Sequence, residues 1–136
     1  MTAILHKLSI NAPVEKVYEA ITTQKGLSGW WAKQTTAKPE LNFINTFTFG
    51  NSLTEMKIIQ LVPNKKVEWL CINANEEWMN THISFDLEEK NEKTIVRFSH
   101  TDWQAATDFF ADCNFNWAKF LYSLRLLCET GSGNPV

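Results

Sequence analysis

The sequence predicts an α+β domain in which a curved antiparallel sheet of about six to seven strands wraps a long C-terminal helix, with two short helices after the first strand. Three observations carry this. Extended, alternating segments succeed one another through the middle of the chain with only short turns between them, which implies an antiparallel meander. Helical periodicity is confined to a short stretch after the first strand and a long one at the end, and helices segregated from an antiparallel sheet define the α+β class. The chain has 136 residues, 44% hydrophobic and 21% charged, which suits one globular domain, 1–136, with its own core.

The elements follow in order. Residues 4–10, ILHKLSI, read as the first strand. Pro13 suits the opening position of a helix, where its missing N–H costs nothing, and Glu15 lies in the first turn, where the helix dipole favours an acid. Val14, Val17, Tyr18 and Ile21 then give an apolar face, so a helix is expected over 13–23. Lys25-Gly26-Leu27-Ser28-Gly29 bends the chain into a second short helix or turn carrying Trp30 and Trp31. Strands are expected at 45–50, 54–62, 67–72, 80–88 and 95–100. Pro63-Asn64-Lys65-Lys66 and Asn91-Glu92-Lys93 supply turns, and 73–79 a polar loop. Phe110, Cys113, Trp117, Phe120, Leu121, Leu124, Leu127 and Cys128 keep a helical period, which Gly131 ends by accepting a left-handed backbone. Residues 131–136 read as a frayed tail.

Several function classes fall away. Net charge is −2 and the lysines are scattered, so no basic stripe exists to neutralise a nucleic-acid backbone. No apolar run approaches the ~20 residues needed to cross a bilayer, and no signal peptide is evident, so membrane insertion is not expected. Cys71, Cys113 and Cys128 are dispersed and make no CxxC, so they read as buried free thiols in a reducing, cytoplasmic setting. Three separated histidines offer no metal site, and no cofactor is expected.

The order of elements and their punctuation resembles the SRPBCC superfamily of START-like, or helix-grip, domains. Within it the chain is most similar to the activator-of-heat-shock-protein-90-ATPase homologue family. The resemblance rests on Asn11 to Ile21 after the first strand, Gly26-Leu27 before Trp30-Trp31, and Val62 to Trp69. It continues through Phe98-Ser99-His100, Asn116-Trp117, and Leu121, Leu124 and Leu127 to Gly131. It runs from about residue 4 to 132. Asn116 stands where the family often has glycine. The family's founding eukaryotic co-chaperone has a separate N-terminal domain that engages the chaperone, whereas this chain starts at the first strand of the helix-grip domain. The resemblance therefore implies the fold and a pocket between sheet and helix rather than stimulation of the chaperone ATPase.

The aromatic residues suggest what that pocket holds. Phe47 and Phe49 share one strand face, Trp69, Phe85 and Phe98 come from three other strands with Ile58 beside them, and Trp117, Leu121 and Leu124 lie on the last helix. Together they are expected to line a cavity for a small hydrophobic or amphipathic molecule. Of the adjacent tryptophans, Trp30 is expected to pack beneath the long helix and Trp31 to flank the mouth. His100, Gln60 and Tyr122 are candidate polar anchors. An apolar guest burying ~300 Å² would gain about 7 kcal/mol before association entropy, so micromolar affinity is expected.

Two other readings remain. An enzyme of cyclase or hydrolase type, acting on an aromatic or polycyclic substrate, would use His100 as its catalytic group, with Asp102 near it in sequence. A chaperone-linked interaction module would need an exposed apolar patch, and none is obvious in the sequence. His82, Ser84 and Asp86 share a strand face but place serine in the middle, the wrong order for a proton relay. The chain is expected to be a monomer or weak homodimer.

Overall fold

The structure is a computed structural model that describes residues 2–136. β1 spans Thr2–Ile10, α1 Val14–Thr22 and α2 Gln24–Trp30. Pro13 is the residue before α1, with φ −68° and ψ 154°, one position earlier than expected. Its carbonyl accepts from Lys16 N at 3.0 Å and Val17 N at 3.3 Å. Thr23 ends α1 and begins α2: its N–H donates to Glu19 O at 3.0 Å, and its Oγ1 accepts from Gly26 N at 3.0 Å. Gly26 is required by close packing, because a Cβ there would stand 2.5 Å from Ala20 Cα.

The strands are β2 Gln34–Thr36, β3 Ile44–Phe49, β4 Ser52–Val62, β5 Lys66–Asn73, β6 His82–Lys90 and β7 Lys93–Trp103. They form one antiparallel sheet in the order β1-β7-β6-β5-β4-β3-β2. Consecutive strands therefore neighbour each other, except that β1 closes onto β7, with Leu8 opposite Val96. Asn64 and Asn91 take left-handed backbone (φ 62° and 54°) at the β4–β5 and β6–β7 turns, where asparagine tolerates it. Register shifts, once between β1 and β7 and twice between β4 and β5, break the regular ladder, and such bulge-like irregularities sharpen the twist and help a sheet curl. β2 was not expected; three residues carry no readable period.

α3, Asp108–Thr130, is capped by Thr107, whose side chain accepts from Phe110 N, and is closed by Gly131 at φ 89°. Cys113, Trp117, Leu121, Leu124 and Cys128 lie on its buried side. The tail is not frayed. Val136 N donates to Trp31 O at 2.8 Å and Lys33 N to Val136 O at 3.1 Å. Ser123 Oγ accepts from Asn134 N at 2.7 Å. The last residues thus lie as an extended segment against the start of the Trp31–Lys33 link, held by backbone groups that composition does not reveal. Among the described residues no helix is long and apolar enough to cross a membrane.

Candidate functional site

The space between sheet and α3 is filled by rings. Phe47, Trp69, Phe85, Phe98, Trp117, Leu121, Leu124 and Ile58 all point into it and are at most 2% exposed. Trp31 sits at the centre. Its ring lies 4.4 Å from Phe47, 5.2 Å from Trp117, 5.3 Å from Phe49 and 5.9 Å from Trp69, centroid to centroid. These are the separations of packed aromatic pairs. The sequence brings the expected residues to one place, but as a close-packed cluster rather than the walls of an open hollow. Trp31 is fully buried and so is not the mouth residue. Trp30 is fully buried as well, its Nε1 donating to Ala20 O of α1 at 2.9 Å. The indole N–H groups of Trp31 and Trp69 are buried with no partner, a cost of about 1–3 kcal/mol each.

His100 shares the inward face of β7 with Val96 and Phe98 and is fully buried. Trp117 Nε1 donates to its Nδ1 at 3.1 Å, so the ring proton is on Nε2, which donates to Thr81 Oγ1 at 2.8 Å. Thr81 Oγ1 in turn donates to Trp78 O. Burial pushes the imidazole down to about 3. Both ring nitrogens are occupied and the ring is neutral, which leaves no lone pair free for general-base work in this conformation. Asp102 is not its partner. A left-handed backbone at Asp102 (φ 70°) breaks the strand alternation and turns its carboxylate to the outer face, where His82 Nδ1 donates to it at 2.6 Å. Asp86 pairs instead with Lys66, at 3.2 Å.

Gln60 and Tyr122 do not reach the interior. The register shift between Ile58 and Gln60 breaks the inward series Thr54, Met56, Ile58 and leaves Gln60 exposed. Tyr122 follows buried Leu121 by one helical step and is 52% exposed.

The mouth is marked by a residue the sequence reading passed over. Trp78 ends a single 3-10 turn, Glu76–Trp78, in the β5–β6 connection. Its ring stacks on Trp117 at 6.0 Å and 14° and meets His100 edge-on at 4.9 Å. Its Nε1 donates to Cys113 Sγ at 3.4 Å. The same connection is tied to the start of α3 by Thr107 Oγ1, which donates to Glu77 Oε1 at 2.6 Å. On the solvent side of Trp78 lies a groove of about 380 Å³ between Phe49, Leu53, Thr54, Ala74 and Phe109. Trp78 therefore separates an open groove from the His100–Trp117 pair. A tryptophan inside a mostly polar loop, Asn-Glu-Glu-Trp-Met-Asn, is the available signal.

The sequence pattern of the family described as "Activator of Hsp90 ATPase homolog 1-like protein" matches residues 11–129. No curated protein matches the chain. Among solved structures, one described as the solution structure of the Aha1 dimer from Colwellia psychrerythraea is 41% identical. It superposes with a TM-score of 0.90 over 98% of this chain and 100% of that one. A protein from Staphylococcus saprophyticus, 18% identical, gives 0.82 over 98% and 96%. CalU16 from Micromonospora echinospora, 14% identical, gives 0.77 over 97% and 76%. The last two are similar in fold alone.

Proposed function

The chain belongs to the Activator of Hsp90 ATPase homolog 1-like family, and from that membership we propose that it is a binding protein for a flat, largely apolar molecule. The guest enters from the groove beside Trp78 and takes the place of that ring against Trp117 and His100. Trp78 carries this reading: an aromatic ring on a short connection occupies the position a flat guest would occupy, with an open groove behind it. A molecule stacked there gains only the difference between its contacts and those of the displaced Trp78, and the exchange keeps affinity moderate. His100 then serves as a fixed polar wall rather than as a catalyst.

The test is Trp78→Ala. Titration with a naphthalene-sulfonate dye, read by fluorescence, should show binding at least about tenfold tighter than in the parent protein. Native mass spectrometry of freshly purified parent protein should show a bound small molecule. Equal dye affinity in the two proteins, with no co-purified molecule, overturns the reading.

We also propose that the chain self-associates. The 41%-identical relative, matched along 98% of this chain, is described as a dimer, and the two chains share their fold throughout. Sedimentation velocity across a concentration series tests it. A single monomer boundary at every concentration would count against it.

A further inference from the structure

α3 carries a second apolar face, pointing away from the sheet. Ala111, Phe115, Ala118 and Tyr122 follow at spacings of four, three and four, and all are exposed, Phe115 at 68% and Tyr122 at 52%. That spacing is the seam along which one helix meets another. Grooves flank the seam on both sides. One of about 510 Å³ runs between Phe115, Ala118, Tyr122 and the tail residues Asn134 and Val136. The other, about 180 Å³, runs between Ala118, Tyr122, Arg125 and β1. The charges are graded along the helix. Asp112 precedes the rings, whereas the Lys119 ammonium lies 5.6 Å from the Phe115 ring centre and the Arg125 guanidinium 5.1 Å from that of Tyr122.

We infer that this face is the contact between two copies of the chain, with the second copy's α3 packed antiparallel across it and centred on Ala118. The inference rests on the self-association reading above and assigns it a surface. A two-fold axis beside Ala118 brings Phe115 of each copy to Tyr122 of the other, and lays the acidic start of each α3, with Asp112, alongside the half of the other that carries Arg125. Parallel pairing would instead lay the two acidic starts side by side and the two basic halves side by side. The antiparallel arrangement also opposes the two helix dipoles. Ala118 at the crossing lets the backbones approach to the usual 8–10 Å or so, and the rings on either side drop into the flanking grooves. From Ala111 to Arg125 the strip is about 21 Å long, which is narrow for the ~800 Å² per partner of a standard interface. The association is therefore reversible and concentration-dependent.

Charge exchange tests it, read by sedimentation velocity from low-micromolar to near-millimolar protein. Asp112→Arg and Arg125→Asp should each weaken self-association about threefold, and the double variant should restore it. Tyr122→Lys, on an exposed position, should abolish it while near-ultraviolet dichroism of the buried tryptophans stays unchanged. Self-association that persists unaltered in all of these overturns the α3 assignment and leaves dimerisation standing. A parent protein that is monomeric throughout overturns both.

Discussion

Trp117 donates its indole N–H to His100 Nδ1 across 3.1 Å, and that bond decides which form of the imidazole the fold can hold. A proton on Nδ1 would face a donor. The ring is held well below its ordinary value of 6.5, to about 3, by burial. The unfolded chain therefore takes up a proton in a window where the folded chain does not. The stability owed to neutral His100 is full above about pH 6.5 and is lost as pH falls toward 3, by up to about 1.4 kcal/mol per unit. Urea unfolding at about pH 7.5 and about pH 5 should show the parent losing about 2 kcal/mol more than His100→Gln. Parallel losses in the two proteins would refute the assignment.

The adjacent tryptophans separate cleanly by their N–H groups. Trp30 Nε1 donates to Ala20 O, whereas Trp31 Nε1 has no partner. Trp30→Phe should therefore cost about 1 kcal/mol more than Trp31→Phe, although both rings are fully buried. Chemical denaturation measures the difference, and a larger loss at Trp31 would contradict it.

Thr81→Val keeps the volume and removes the hydroxyl that links His100 Nε2 to Trp78 O. The buried Nε2–H is left unpaired, so stability should fall by about 1–3 kcal/mol. Because the same hydroxyl holds the Trp78 turn, dye association at the groove should also speed up. A loss of stability with unchanged association kinetics would mean that Thr81 does not govern the entrance.

Gly26→Ala sets a methyl against the Ala20 backbone, with Cα at 2.5 Å and O at 2.6 Å. Neither is a flexible side-chain end, so α1 and α2 must separate. A loss of about 1–3 kcal/mol is expected, read as a lower melting temperature. An unchanged melting temperature would show that the two helices are not packed this closely.

Much of the fold was legible because period and position agree. Val14, Val17 and Ile21 lie on one side of α1 and are all buried, as are Trp117, Leu121 and Leu124 on α3. The strand meander followed from short turns, and the inward aspect of His100 from its alternation with Val96 and Phe98. Other features are set by quantities that a linear pattern does not contain. Whether the inward rings leave a space depends on their summed volume against the curvature of the sheet, and here they fill it. Asp102 left the inward face through a single left-handed backbone angle. Trp78 lies in a loop without period. The outer stripe of α3 was masked because Phe115, Ala118 and Tyr122 lie between the residues of the buried stripe, and so supplied the exposed apolar patch the sequence did not display.

The pairing of β1 with β7 has a consequence for biosynthesis. Roughly 90 residues separate the partners, and at about 5–20 residues per second translation takes on the order of 5–20 s to supply the second. Until then β1 has no neighbour on the side it will bond to, and α3, which covers the tryptophans, is made later still. The interval of greatest risk for aggregation therefore falls while the nascent chain is still on the ribosome, and it is lengthened by any pause before β7 emerges.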